Sequence, residues 1–136
     1  MIQIIFGKKG SGKTKKILDL ANQTVQEAKG NVLFVDEGKD YTLSLKPQVR
    51  FIDAGDYSVK GAERLYGFLA GILAGNYDIS YLFIDGLLRL VGEDSPALED
   101  FFARLDKLAK DAGTTLVMTY SEDAQLVPES IRQFQI

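Results

Sequence analysis

Ile2-Gln3-Ile4-Ile5-Phe6-Gly7-Lys8-Lys9-Gly10-Ser11-Gly12-Lys13-Thr14 opens the chain, and its reading decides the fold. Four apolar residues in five predict a buried strand over Ile2–Phe6. The helical spacing of Ile17, Leu18, Ala21, Val25 and Ala28 predicts a helix over Lys13–Lys29, ended by Gly30. Between strand and helix, Gly7–Thr14 satisfies G-x-x-x-x-G-K-[ST] at every fixed position. Glycines there let backbone N–H groups converge on phosphate oxygens, and a helix N-terminus adds free donors and a favourable dipole. Gly7, Lys8, Lys9, Gly10, Ser11, Gly12, Lys13 and Thr14 are therefore the expected phosphate-binding residues. Lys13, expected as an exposed loop lysine, would reach the β- and γ-phosphates of a nucleoside triphosphate, ATP or GTP. The Thr14 hydroxyl would hold Mg²⁺. Lys8, Lys9, Lys15 and Lys16 form either a positive mouth for a polyanion or a solvated helix start.

Outward from this segment the same alternation continues. Strands are expected over Val32–Val35, Val49–Ile52, Tyr81–Ile84 and Thr115–Tyr120. Helices are expected over Val59–Ala74 and Pro96–Ala112. Residues 36–48 read as a loop stopped by Pro47. Gly86–Ser95 reads as local packing, a short helix start or a subunit contact, and Ile131–Ile136 as a further short strand. Apolar strands alternating with amphipathic helices predict an α/β three-layer sandwich: a mainly parallel sheet with helices on both faces. The 136 residues fit a single nucleotide-binding domain spanning 1–136.

A second motif is Tyr81-Leu82-Phe83-Ile84-Asp85, four apolar residues ending in an aspartate. Asp85 would hold the Mg²⁺ water shell beside Thr14, the alternative being a capping or turn aspartate. Gly86 follows it, where many nucleotide hydrolases place a water-activating glutamate.

Composition narrows the chemistry. Cys and His are both absent, which excludes disulfides, cysteine-bound zinc, thiol nucleophiles and histidine bases. A net charge of −3, from 16 basic and 19 acidic residues, gives no indication of nucleic-acid binding. No apolar run approaches the ~20 residues that span a bilayer, and the N-terminus does not read as a signal peptide. A cytoplasmic protein is the expectation.

The order of these motifs resembles the RecA-like core of P-loop NTPases, including its KaiC-like and motor branches. The resemblance covers most of the chain. It rests on Gly7–Thr14, on Phe34-Val35-Asp36-Glu37 closing the second strand, on Asp85 and on Thr115–Ser121. It implies that the Thr115–Tyr120 strand lies between the other two motif-bearing strands, and that Lys13, Glu37 and Asp85 are catalytic. Glu37 would orient the attacking water, against the alternative of a solvated loop glutamate. Thr119 and Ser121 stand where family members carry a polar γ-phosphate sensor. The sequence shows no counterpart of the extra strands and DNA-contacting loops of recombinases, and without cysteine it cannot form the zinc module of thymidine-kinase-type enzymes. Arg50, Arg64, Arg89, Arg104 and Arg132 are scattered singly, unlike the arginine-rich lid of small-molecule kinases. An arginine finger would then come from a homo-oligomer or protein partner, with Arg89 and Arg132 as candidates. Tyr41, Tyr57 and Tyr120 are either base-stacking or packing residues. Three functions stay open: a slow or partner-stimulated NTPase, a nucleotide-binding switch or adaptor, and a small-molecule or nucleoside kinase.

Overall fold

The computed structural model describes residues 1–92 and 98–136. Five strands, β1 (Ile2–Phe6), β2 (Asn31–Asp36), β3 (Val49–Asp53), β4 (Ile79–Ile84) and β5 (Thr115–Tyr120), form one sheet in the order β1-β5-β4-β2-β3. Every pairing within it is parallel. The expected placement of β5 between β1 and β4 is observed.

Alternation along each strand sorts side chains to two faces. Ile5, Val32, Phe34, Phe83 and Val117 pack with Ile17, Leu18 and Ala21 of α1 (Lys13–Glu27). Ile4, Leu33, Val35, Leu82, Ile84, Leu116 and Met118 face the opposite way, into a larger core. That core is closed by α2 (Ala62–Gly75), α3 (Leu87–Val91), α4 (Leu98–Ala112) and α5 (Glu129–Arg132). Both faces of the sheet are thus covered, which is why its strands carry apolar residues in succession. Among the described residues no helix is long and apolar enough to cross a membrane.

Boundaries differ from expectation in several places: α1 ends at Glu27 rather than Lys29 and β4 begins at Ile79 rather than Tyr81, and two further differences have local reasons. The second helix begins at Ala62 rather than Val59, because Ala54–Tyr57 form a 3-10 turn and Gly61, at φ 95°, breaks helical geometry just before it. Val59 remains buried as a loop residue. The C-terminal segment is α5 followed by a single parallel bridge from Gln135 to Ile4, not a full strand. The expected helix start at Pro96, and Glu93–Ser95 of the expected post-strand segment, lie outside the described residues. Within that segment, Leu87–Val91 do form a short helix whose Leu87 and Leu90 are fully buried.

Candidate functional site

A parallel sheet brings all its strand C-termini to one edge, where ligands of open α/β sheets bind. Along that edge stand Gly7 after β1, Ser121 after β5, Asp85 after β4, and Asp36 and Asp53 ending β2 and β3. A cleft of about 520 Å³ opens there. It is lined by Lys9, Gly10, Gly12, Lys13 and Thr14 on one side and by Asp85, Gly86, Leu88, Arg89, Thr119 and Ser121 on the other.

The loop's shape follows from its glycines. Gly10 (φ 84°) and Gly12 (φ 88°) take left-handed conformations, and a Cβ on Gly7 would fall 2.4 Å from the Ser11 hydroxyl oxygen. The Gly7 N–H donates to the Glu122 carbonyl at 3.0 Å, tying the loop's start to the end of β5. Gly12 caps α1 without any side-chain capping bond, so a bound anion can take the helix's first N–H groups.

Lys13 is buried, 9% exposed, and not the exposed residue expected from its place in a polar loop. It is the first residue of α1, and its ammonium folds back to donate to the Lys8 carbonyl at 3.0 Å. Burial holds that ammonium below the ordinary lysine range, with the Asp85 charge pulling the other way.

Asp85, 2% exposed, is gripped from two sides. The Thr14 hydroxyl donates to its Oδ2 at 3.0 Å and the Thr119 hydroxyl to its Oδ1 at 2.7 Å. Thr119 also accepts the Gly86 N–H at 2.7 Å. Thr14 and Asp85, 71 residues apart in sequence, are therefore direct neighbours. One hydroxyl and one carboxylate make a hard-oxygen donor pair, which suits Mg²⁺, a cation that keeps several waters and takes substrate phosphates as further ligands. Among the described residues no cluster of three or more acids forms a closed cage, the kind of site Mg²⁺ does not need.

Gly86, which stands where a glutamate follows the aspartate in many nucleotide hydrolases, has a left-handed backbone that side chains disfavour. Its φ is 78°, and a Cβ there would lie 2.3 Å from an Arg89 nitrogen. The Arg89 guanidinium lies against this glycine and reaches Asp36 Oδ1 at 3.2 Å. Asp36 itself is 3% exposed. Burial, then the Asp85 charge, push its carboxyl up to about 6, although the Glu37 N–H and Arg89 act to lower it.

Glu37 is not among the cleft-lining residues. Its carboxylate pairs with Lys60 at 2.5 Å, and Lys60 also donates to the Arg89 carbonyl at 3.3 Å. Arg132 does not line the cleft either; it pairs with Glu129 inside α5. Tyr120 is buried against Phe6 and Phe102 as a packing residue, while Tyr57, largely exposed, sets its ring on Phe68 and does not line the cleft. Tyr41 is exposed and does not line the cleft. Lys9 lines the cleft, Lys15 pairs with Asp19, and Lys8 offers its carbonyl to Lys13.

The sequence reading missed Asp36, although Asp36-Glu37 was part of the recognised pattern. The available signal is position at the strand end: Asp36 is the last paired residue of β2, opposite Asp53 of β3, and β2 lies beside the strand that leads into Asp85, whereas Glu37 lies beyond the last paired residue. No protein-family model matches the chain, and no curated protein matches it.

Proposed function

We propose that the chain is a RecA-like P-loop protein that binds a Mg²⁺-nucleoside triphosphate in the cleft between Gly7–Thr14 and Asp85. The observation that carries this reading is the direct hydrogen bond between Thr14 and Asp85 beside the buried Lys13. Two motifs read independently from sequence converge on one point. The strand order supports the RecA-like assignment, since β5 separates the phosphate-loop strand from the Asp85 strand. Gly7–Gly12 would cradle the phosphates with backbone N–H groups, and Lys13 would trade the Lys8 carbonyl for phosphate oxygens. Thr14 would exchange its bond to Asp85 for a place on Mg²⁺, with Asp85 holding the metal's waters. The metal would neutralise charge on the phosphates.

Hydrolysis by the isolated chain is slow on this reading. Among the described residues lining the cleft, Asp85 is the one carboxylate, and both its oxygens accept threonine hydroxyls. Glu37 must leave Lys60 before it can orient a water. A second copy or a protein partner would then set the rate. The same commitment of Glu37 favours the alternative of a switch or adaptor that binds nucleotide with little turnover. A small-molecule kinase has no comparable support, since the cleft is bounded by Arg89 alone among the arginines.

The test is a thermal-shift screen with ATP, GTP, ADP and GDP, with Mg²⁺ and with EDTA. Stabilisation by at least one triphosphate, reduced by EDTA and by Thr14→Ala, is expected. A chain whose melting temperature no nucleotide moves contradicts the proposal.

A further inference from the structure

Arg89 and Asp36 form a pair that the nucleotide-binding reading does not use. The contacts run in series across the cleft. Thr14 touches Asp85, Gly86 follows Asp85, the Arg89 guanidinium covers Gly86, and Arg89 reaches Asp36. Asp36 is almost fully buried beside a second buried carboxylate, Asp85, so it needs a cation, and Arg89 supplies one from a side chain that is 58% exposed. An arginine carries five N–H donors in a planar fork. Asp36 takes one, and the rest of the fork remains for another anion.

The location says which anion. On the phosphate-loop reading, Gly7–Thr14 would seat the phosphates, and Thr14 and Asp85 would hold a Mg²⁺ that neutralises their charge. Arg89 lines the same cleft from the Asp85–Gly86 side, opposite Lys13 and Thr14, where the end of the phosphate chain would come within its reach. Arginine suits it, since its fork matches a phosphate's oxygens and it stays charged throughout the accessible pH range.

We propose that Arg89 contacts the terminal phosphate from within the same chain, and that Asp36 is a positioning residue that holds Arg89 at the cleft edge until a triphosphate competes for it. This rests on the phosphate-loop reading above and deepens it: the site distinguishes triphosphate from diphosphate. It differs from the sequence expectation that an arginine finger would come from a homo-oligomer or protein partner. Lys60 pairs with Glu37 and donates to the Arg89 carbonyl, which joins the residue after β2 to the backbone of α3.

Calorimetric titration of the full chain with Mg·ATP, Mg·ADP, Mg·GTP and Mg·GDP tests this, using wild type, Arg89→Ala, Arg89→Lys, Asp36→Asn and the Arg89→Ala/Asp36→Asn double variant. For Arg89→Ala the diphosphate affinity should stay at the wild-type value while triphosphate affinity falls about tenfold or more, as expected for a lost charge-assisted hydrogen bond. Arg89→Lys should recover part of that loss. Asp36→Asn should bind triphosphate several-fold more tightly, and this gain should vanish in the double variant. A folded Arg89→Ala protein that loses both affinities equally, or neither, overturns the proposal while leaving the phosphate-loop reading intact. A wild-type chain that binds none of the four overturns both.

Discussion

On the proposed reading, Lys13 meets two opposing demands. Its buried ammonium would face phosphates at close range, yet burial without phosphate is unfavourable, and the Lys8 carbonyl at 3.0 Å compensates for it here. Lys13→Ala removes both the charge and its desolvation penalty, so its melting temperature should stay close to wild type; a large loss would mean that the lysine mainly supports the fold. Asp36 makes the matching prediction on pH. Its folded value, about 6, lies above the ordinary 3.8, so between those values the native state binds the extra proton. Its contribution to stability is fully present below 3.8 and is lost as pH rises through about 6. In the metal-free, nucleotide-free protein, Asp36→Asn should lose this decline, and its melting temperature should gain on wild type across that window. Parallel curves would show that Asp36 is not perturbed. Glu37→Gln breaks a half-exposed ion pair with Lys60, worth about 1 kcal/mol or less. It should leave stability nearly unchanged and lower whatever slow hydrolysis is measured; undiminished turnover would remove Glu37 from the mechanism. Gly7–Thr14 and Asp85 were legible from sequence because each motif is contiguous. The Asp36–Arg89 pair was not, because it joins residues 53 apart through the pairing of β2 with β4 and the short turn of α3.

At the scale of elements, two glycines set the geometry of connections in different ways. Gly86 turns β4 into α3 with a left-handed backbone, and the atom that crowds it is the mobile end of Arg89. Gly86→Ala should therefore cost about the backbone strain alone, roughly 1–2 kcal/mol, while displacing Arg89. Gly30 joins α1 to β2, and a Cβ there would lie 2.1 Å from the Asp78 carbonyl oxygen, part of the backbone. That carbonyl also accepts the Asn31 N–H at 2.7 Å, so it cannot move without loosening the start of β2. Denaturant unfolding should rank Gly30→Ala as the more destabilised; the reverse order would contradict this account of both turns. Strand identities and the long helices were readable from local pattern, because the central strands β2, β4 and β5 are largely apolar on both sides and each long helix carries one apolar stripe. The start of α2 was not, because Val59 is buried like a helical residue while Gly61 interrupts the backbone. The pairing of Gln135 with Ile4 depends on where α5 ends, which local pattern does not encode.

The described residues form one parallel sheet with a core on each face, and the candidate site lies at the edge where all five strands end. α1 lies on one face with Lys13 and Thr14 in its first turn, and α3 lies on the other with Arg89. The cleft is therefore bounded by elements from both layers, and a ligand seated there would bridge them. Such a ligand should stabilise the fold in proportion to the logarithm of its concentration over its dissociation constant. The strand order expected from the resemblance is present, and the expected nearness of Asp85 to Thr14 takes the form of a 3.0 Å hydrogen bond. The most direct test is calorimetric titration of the purified chain with ATP and GTP in Mg²⁺, beside Lys13→Ala. The account predicts saturable one-to-one binding of at least one triphosphate, weakened on the order of 10–100-fold in a fully folded Lys13→Ala variant, as loss of one or two charge-assisted phosphate contacts requires. No saturable binding by the wild type, or equal affinity in Lys13→Ala, would contradict it.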